Sequence, residues 1–443
     1  MGIVLCLLTL LGTVAAGRRS LGLAFGAVLV TGYFYGILRA HVPDTASYFV
    51  FDCALIGFYA TRVPPIVGTR LPAVAFVRCA PLAIWPLVML FVPFQDILIQ
   101  LVGLRAAIFF LPCMLLGATA EDEDLVTVAR FAAVLNVVSF VFAFLEYQLG
   151  IETFFPRVAA TQLIYESHDI ASGSAHRIPA TFVNSHAYGG TMVAVLPFLV
   201  SRWQAPSARR LEKTVIAAGI LGGAIGTFMA GARTPVVFLG ILSLVLALSL
   251  KLSMRAKVSL VLLSAVVGWV VLQSDRLQRF TTLSDTEYVS SRLEGSANLG
   301  TLETIYEHPF GAGLGSAWGT NIPHFLQDYA HEQIGAENEF ARIALEQSPL
   351  GLILWIWCIV ATLLRRTEPV SANWVLGTRL SRVFVAVSWG TGIFGTGLLA
   401  AIPSSALMLF QMGLLNRDRR PRATRQLPPR GLKDVRLEAR LLP

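Results

Sequence analysis

Long apolar runs alternate with short polar breaks along most of the 443 residues. A helix needs roughly 20 mostly apolar residues to cross the hydrocarbon core of a bilayer, and about thirteen runs approach that length. They are residues 2–16, 20–38, 46–61, 73–92, 97–119, 125–148, 182–200, 214–231, 234–250, 257–273, 340–363, 380–398 and 401–415. The pattern predicts an all-α, polytopic integral membrane bundle of about 12 to 13 transmembrane helices.

The composition also indicates a membrane protein. The chain is 55% hydrophobic and 14% charged, with a mean hydropathy of +0.65, which is too apolar for a soluble globular domain. The first run could be taken for a signal peptide, but no basic residue precedes its apolar core, and Arg18 and Arg19 follow it. We therefore interpret it as a retained helix. The cysteines lie one per apolar run, without metal or disulfide spacing, and indicate small core residues.

The runs divide the chain into regions that alternate between membrane and water. The regions are N-terminal transmembrane helices (1–148), an extracytoplasmic loop (149–181), central transmembrane helices (182–273), a large extracytoplasmic loop (274–339), C-terminal transmembrane helices (340–415) and a basic tail (416–443). The large loop lies between the tenth and eleventh predicted helices. Leu299, Leu302 and Ile305 follow Arg292 at helical spacing and predict a short amphipathic helix in this loop.

Basic residues in short loops set the predicted orientation, because Lys and Arg resist translocation. Alternate crossings place the most basic loops on one side of the membrane, which we assign to the cytoplasm. These loops contain Arg18 and Arg19, Arg62 and Arg70, residues 202–213, residues 251–257, and Arg365 and Arg366. The two long polar loops then fall on the outer face.

The tail is the most basic part of the chain. It carries nine basic and three acidic residues, and therefore six of the formal net charge of +8. We interpret it as a disordered cytoplasmic arm that lies on anionic lipid headgroups, and we expect no nucleic acid partner. Arg365 and the tail should share a side, so residues 380–415 must cross twice. The glycines and proline between Gly392 and Pro403 provide a place to turn.

Arg233 stands between two apolar runs in FMAGARTPVVFLG, residues 228–240. A charge at the centre of a membrane helix costs about 2.5 to 3.5 kcal/mol on insertion scales. We expect Arg233 to avoid most of this cost, because Thr234 as a cap and Pro235 in a first turn would begin a new helix. Arg233 would then lie at the outer mouth of a helical hairpin. The alternative is an ordinary loop arginine whose side chain reaches the membrane interface.

Two further groups of polar residues lie on or next to the outer loops. His176 and His186 lie near Asp169, but their spacing fits no metal template, and we expect no metal. Gly189 and Gly190 would allow close approach of a backbone or a ligand. The carboxylates of Glu339 and Glu346 lie on one helix face with Arg342 between them, and pairing of these charges on the helix is the favoured interpretation.

Five short pieces follow one another between residues 176 and 352. They are RIPATFVNSHAYGG, GAR, SSRLEG, HPFGAGLG and ENEFARIALEQSPLGL. In this order and membrane setting they resemble the O-antigen ligase and O-antigen polymerase family of membrane glycosyltransferases. The resemblance implies transfer of a glycan from an undecaprenyl pyrophosphate carrier to a sugar hydroxyl on a glycan or lipid-linked acceptor. The reaction would take place on the outer face of the bacterial inner membrane, without a metal or another cofactor, during assembly of O-antigen or exopolysaccharide.

The resemblance also implies roles for particular residues. Arg233 and Arg292 match recurrent arginines of the family and would hold the pyrophosphate. The family often has a histidine at the position of Glu337, so Glu337 or the nearby His331 would accept the proton of the acceptor hydroxyl. His331 as a solvated loop residue is the alternative. His186 and Asn338 are candidate contacts for the acceptor or for a loop.

Ser348 and Pro349 stand where the family has a glycine. The absence of this glycine and of the family histidine leaves open an inactive member of a glycan assembly complex. A secondary transporter or a flippase for lipid or polysaccharide is the alternative from another class of protein. Transporters often contain two related halves with interrupted helices, and we detect no internal duplication in this sequence. The sequence does not separate a ligase from a polymerase.

Overall fold

The protein is an all-α bundle. The computed structural model describes residues 1–42, 44–69, 71–166, 176–249, 300–320, 322–330, 334–336 and 338–418. Within these ranges the backbone contains no β-strand beyond an isolated bridge between Ala317 and Ile334. Of the residues with a predicted role, Arg292, His331 and Glu337 lie outside the described ranges, as do the predicted helix 257–273, the basic loop 251–257, Arg70 and the tail from residue 419.

The described ranges contain sixteen α-helices, numbered here in chain order. They are α1 (Gly2–Arg19), α2 (Leu21–His41), α3 (Val50–Thr69), α4 (Ala73–Met89), α5 (Ile97–Ile108), α6 (Pro112–Thr119), α7 (Asp122–Leu149), α8 (Gln162–Glu166), α9 (Ser185–Ala194), α10 (Leu196–Gln204), α11 (Arg210–Met229), α12 (Arg233–Ser249), α13 (Gly300–Glu307), α14 (Glu339–Leu364), α15 (Val375–Thr391) and α16 (Ser404–Leu415).

Seven helical segments among the described residues are long and apolar enough to cross a membrane. They are Gly2–Arg19, Leu21–His41, Thr45–Gly68, Ile97–Thr119, Asp122–Leu149, Arg210–Met229 and Glu339–Leu364. Helices dominate because the bilayer offers no hydrogen-bond partners, so that each crossing segment satisfies its backbone internally. The prediction of an all-α membrane bundle is confirmed, whereas the number of crossings stays a prediction. The short helix α13 lies within the stretch of the large loop where an amphipathic helix is predicted.

Two predicted segments are each broken into a pair of helices. Residues 97–119 form α5 and α6, and residues 182–200 lie in α9 and α10. Pro112 and Pro197 lie at the start of the second helix of each pair. Proline has no N–H group and clashes with the preceding turn, so that a helix restarts at this residue more readily than it continues through it.

One end of the bundle, termed the loop end, carries the polar segments that we predict to be outside. Arg39, near the end of α2, donates to the carbonyl of Ala160 at 2.9 Å. Its guanidinium carbon also lies 4.7 Å from the ring centroid of Tyr48. The Tyr48 hydroxyl contacts Nδ1 of His324 at 2.9 Å. Residues from both predicted outer loops therefore meet at the end of α2.

The opposite end, termed the tail end, brings together the start of α4, the end of α14 and the end of α16. Arg365 Nη2 donates to the carbonyl of Arg417 at 2.9 Å, and Asp418 accepts the Ala73 N–H at 2.9 Å. Arg417 also donates to the carbonyl of Ala120. Arg365 and the first residues of the tail thus share an end, as predicted. The chain turns between α15 and α16, in the region of the predicted turn, whereas the double crossing by residues 380–415 stays a prediction.

Candidate functional site

Arg233 begins α12 directly after a tight turn. Gly231 adopts a φ of +64°, a left-handed conformation that glycine accepts without steric cost. The flanking Ala230 and Ala232 are buried. Because the helix already starts at Arg233, Thr234 lies inside the first turn, and the prediction that Thr234 caps the helix is corrected. Pro235 lies in the first turn, as predicted.

Gly189 explains why this hairpin can pack against α9. A Cβ atom at Gly189 would lie 3.1 Å from Pro235 and 3.2 Å from Ala230, so a larger residue would push the hairpin away. A Cβ atom at Gly190 would meet nothing within 4 Å. Of the two glycines that we predict to allow close approach, only Gly189 has this role in the packing of the described residues.

Arg177 is a second arginine beside the hairpin. Its Nη1 donates to Nε2 of His186 at 3.0 Å, which requires a neutral imidazole with its proton on Nδ1. Its Cγ lies 3.7 Å from the position that a Cβ of Gly231 would occupy. Two residues of the predicted outer face, Arg177 and His186, therefore lie next to the turn that leads into Arg233. His186 thus contacts a side chain of the predicted outer loop, and its role as an acceptor or loop contact of the proposed site stays a prediction.

Arg233 lies at the loop end because α12 and α15 run antiparallel. The rings of Phe238 and Phe384 are 6.0 Å apart near the middle of the pair. At one end, Arg379 Nη1 donates to Ser249 Oγ at 3.1 Å, which joins the start of α15 to the end of α12. The start of α12 therefore lies beside the end of α15. There Gly392 accepts the N–H of Glu339 at 2.8 Å, so that the first turn of α14 shares this end with Arg233.

Asn338 is the cap of α14. Its Oδ1 accepts the Ala341 N–H at 2.6 Å and the hydroxyl of Thr301 at 3.1 Å. The side chain is buried. Asparagine at a helix cap satisfies a backbone N–H that has no partner within the helix. Asn338 thereby joins the start of α14 to α13. In the chain, Asn338 directly follows Glu337.

Three charged side chains of α14 form a buried network. Arg342 Nη2 donates to Glu339 Oε1 at 2.5 Å, and its Nη1 donates to Glu346 Oε2 at 2.8 Å. All three side chains have a relative exposure of 0%. The helix-face pairing favoured from the sequence is confirmed, but it occurs in the core of the bundle. An exposed ion pair contributes little to stability, whereas loss of one partner from a buried pair is strongly destabilising.

The two carboxylates of this network also bind neighbouring segments. Glu339 accepts the backbone N–H groups of three consecutive residues in the turn before α16, Gly397, Leu398 and Leu399. Glu346 accepts the hydroxyl of Thr320 from the described part of the large loop. The network therefore holds two loop-end segments against α14.

A break in α14 follows the network. Ser348 adopts φ +62° and ψ 168°, outside the helical region, and Pro349 follows it. Pro349 cannot donate to the carbonyl of Leu345, which would be its partner in a regular helix. Instead, Ala312 N–H donates to this carbonyl at 2.7 Å, and Trp85 Nε1 donates to the carbonyl of Gln347 at 2.6 Å. The break is therefore satisfied by groups from elsewhere in the chain.

The glycine-rich turn HPFGAGLG supplies one of these groups. Gly311, Gly313 and Gly315 all have positive φ, at +77°, +92° and +82°. A Cβ at Gly311 would lie 2.8 Å from the Leu345 carbonyl oxygen, and one at Gly315 would lie 2.6 Å from the carbonyl oxygen of Ile99. The three glycines allow the turn to fit between α5 and the broken helix. The residues that this turn contacts are visible only in the fold.

The arrangement at the loop end is suited to anion binding. Arg233 lies at the N-terminus of a 17-residue helix, where unpaired N–H groups and the helix dipole favour negative charge. Arg177 adds a guanidinium beside the same turn. Sequence reasoning missed Arg177, although it stands in the strip RIPATFVNSHAYGG that carries part of the family resemblance. Nothing in its local pattern separates it from other loop arginines.

Comparison with known proteins adds no assignment. No protein-family model matches the chain, and no curated protein matches it at a significant level of similarity.

Proposed function

We propose that the protein is a metal-independent membrane glycosyltransferase. It moves a glycan from an undecaprenyl pyrophosphate carrier to a sugar hydroxyl, as a polymerase or ligase of cell-surface polysaccharide. The protein would lie in the bacterial inner membrane, with the loop end in the periplasm. The observation that carries the proposal is the position of Arg233 at the start of α12, beside Arg177 and at the same end as the first turn of α14.

The reaction needs stabilisation of a leaving group with high negative charge. The acceptor oxygen attacks the anomeric carbon, the bond from this carbon to the pyrophosphate oxygen breaks, and the carrier pyrophosphate departs with the bonding electrons. Fixed guanidinium groups in a partly dehydrated site stabilise this charge most strongly in the transition state. Arginine suits this role because its planar fork binds two phosphate oxygens and remains protonated near lipid. Arg233 has this role in the proposal, together with Arg292.

The proton of the acceptor hydroxyl needs a base. Glu337 and His331 are the candidates, and either contributes a factor of about 10² to 10⁴ when it lies within hydrogen-bond reach. Glu337 precedes Asn338, whose side chain is fixed by Thr301 and by the first turn of α14.

The test is transfer by the purified protein from a lipid-linked oligosaccharide to an acceptor glycan, with analysis of the products. We expect Arg233→Lys to lower turnover by about 10²-fold or more, because lysine loses the paired contact with phosphate. Arg292→Ala should have a comparable effect. Arg379→Lys is the matched control, because Arg379 is exposed at the opposite end of α12. Full activity of both Arg233→Lys and Arg292→Ala would refute the mechanism.

The base is tested separately with Glu337→Gln and His331→Ala. The variant that removes the base should lower turnover, while binding of the donor stays unchanged, because the pyrophosphate contacts remain. If neither variant slows transfer, the proton acceptor is neither of these residues. The products separate the two activities. A polymerase yields a longer chain of repeat units, and a ligase yields the glycan joined to the acceptor.

A further inference from the structure

A cleft opens at the tail end of the bundle, the end opposite to Arg233. Its volume is about 420 Å³, and it lies between the end of α1, the last turns of α3 and the start of α7. Arg19 and Arg62 line one part, and Glu121, Glu123 and Asp124 line another. This volume falls in the range of about 300 to 1,000 Å³ that small-ligand sites occupy. The cleft therefore has the size of a binding site and carries both signs of charge.

Arg62 provides the first sign that the cleft takes a ligand. Its Nε and Nη2 atoms are shielded from solvent and have no hydrogen-bond partner among the described residues. Shielded donors of this kind are normally satisfied, because an unsatisfied buried donor retains its full desolvation cost. Arg62 lines the cleft, and an anionic oxygen there would accept from the accessible part of its guanidinium in a charge-assisted hydrogen bond.

The acidic part of the cleft is held in place by backbone hydrogen bonds. Asp124 Oδ1 accepts the Gly22 N–H at 2.7 Å, and its Oδ2 accepts the Glu121 N–H at 3.0 Å. These bonds join the start of α2 to the start of α7. Glu123 lies exposed on the same turn. The cleft thus presents carboxylate and guanidinium groups together.

The remaining lining combines the hydroxyl side chains of Ser20, Thr119 and Thr127 with an apolar part at the end of membrane-length helices. Leu21, Pro65 and Ile66 line the cleft beside Arg62. Val67, the next residue of α3, is 63% exposed. An exposed apolar surface at the end of a membrane-spanning helix faces lipid at the level where hydrocarbon gives way to headgroups. A ligand that combines charges of both signs with an apolar part fits this lining.

We propose that the cleft binds the headgroup of a zwitterionic phospholipid, with phosphoethanolamine as its chemical class. The lipid phosphate accepts hydrogen bonds from Arg62 and Arg19, and the ammonium group donates to Glu123. The glycerol region lies on Leu21, Pro65 and Ile66. A phosphoglycerol headgroup has no cation for the carboxylates, and a choline headgroup has no N–H donor. The cleft should therefore prefer phosphatidylethanolamine to both other lipids.

The test uses the delipidated full-length protein in detergent and native mass spectrometry with added phosphatidylethanolamine, phosphatidylcholine or phosphatidylglycerol of matched acyl chains. We expect phosphatidylethanolamine to be retained about tenfold more strongly than the others, and Arg62→Gln to lose this preference. Arg18→Gln is the matched control, because Arg18 is an exposed neighbour of Arg19 that does not line the cleft. Equal retention of the three lipids by the unaltered protein would overturn the proposal.

Two further variants separate binding from folding. Glu123→Gln alters an exposed residue and should weaken retention of phosphatidylethanolamine while it leaves the melting temperature unchanged. Arg62→Lys keeps the charge and should retain more of this lipid than Arg62→Gln. Free O-phosphoethanolamine should compete only weakly, because it lacks the apolar part. Full competition by the free headgroup would refute the role of the apolar lining, and wild-type retention by Arg62→Gln would refute the site.

Discussion

The Glu339 carboxylate accepts the backbone N–H of Gly397, with 2.7 Å between Oε2 and the nitrogen. Gly397 has a φ of +94° and lies in the turn between α15 and α16. The same carboxylate binds Arg342, whose second nitrogen binds Glu346. One buried side chain thus joins the first turn of α14 to the turn that precedes the last helix, at the end of the bundle where Arg233 begins α12.

Arg342→Met should destabilise the protein by about 3 to 5 kcal/mol, because it leaves the buried carboxylates of Glu339 and Glu346 without their cation. The measurement is thermal unfolding in detergent. Arg366→Met is the control, since Arg366 is exposed beyond the end of the same helix and should shift stability by no more than about 0.5 kcal/mol. Adding Glu339→Gln and Glu346→Gln to Arg342→Met should restore part of the loss. An unchanged melting temperature for Arg342→Met would contradict this account.

Ser348→Gly should stabilise the protein, by about 1 kcal/mol. Ser348 holds φ +62° and ψ 168°, a region that costs a residue with a Cβ about 1 to 3 kcal/mol and that glycine enters freely. Part of this gain is offset by the greater backbone entropy of glycine in the unfolded chain. Ser381→Gly in regular helix α15 is the comparison and should lower the melting temperature. A loss of stability in both variants would show that Ser348 is not strained.

Gly311→Ala should destabilise by about 1 to 3 kcal/mol. The residue has φ +77°, and a Cβ would lie 2.8 Å from the Leu345 carbonyl oxygen, which Ala312 must reach. Gly335→Ala is the control, because a Cβ there meets nothing within 4 Å and no positive φ is present. In thermal unfolding, the melting temperature of Gly311→Ala should be clearly lower than that of Gly335→Ala. Equal melting temperatures would mean that the stability of the turn does not depend on the positive φ and close packing of Gly311.

Asp44 should make the attachment of α1 dependent on pH. Its carboxylate accepts the N–H groups of Gly2 and Ala46, each at 3.1 Å, and these bonds lower the pKa of Asp44. A lowered pKa means that the stabilisation is present above the unfolded pKa and is lost as the pH falls through the folded value. Hydrogen exchange should therefore show weaker protection of residues 2–5 at a pH below about 4. Asp44→Asn should lack this pH dependence, and identical profiles in the two proteins would contradict the assignment.

Much of the bundle could be predicted from the apolar runs alone. Such runs must form helices in a bilayer, so the segments at residues 20–38 and 125–148 correspond closely to α2 and α7. The helix start at Thr234 and Pro235 also predicts the turn before Arg233. The glycines and proline between Gly392 and Pro403 predict the turn between α15 and α16. The pairing of Glu339, Arg342 and Glu346 follows from helical spacing, because residues three and four apart are neighbours on any helix.

Other features could not be predicted in this way. Spacing could not show that the charged residues of α14 are fully buried, since burial depends on which helices surround them. Arg177 could not be chosen among the loop arginines, because its contact with the turn at Gly231 joins segments far apart in the chain. The breaks at Pro112 and Pro197 were missed because continuous hydropathy conceals the loss of a backbone donor.

The sequence by itself determined that the chain is a helical membrane protein and where most of its apolar segments lie, because hydropathy and helical spacing are local properties. Only the tertiary structure decided which segments meet. Trp85 and the carbonyl of Gln347 are 262 residues apart in the chain and 2.6 Å apart in space. Such contacts depend on how the helices pack, since a backbone carbonyl beside the break in α14 can be satisfied only by whatever the fold brings within hydrogen-bond reach.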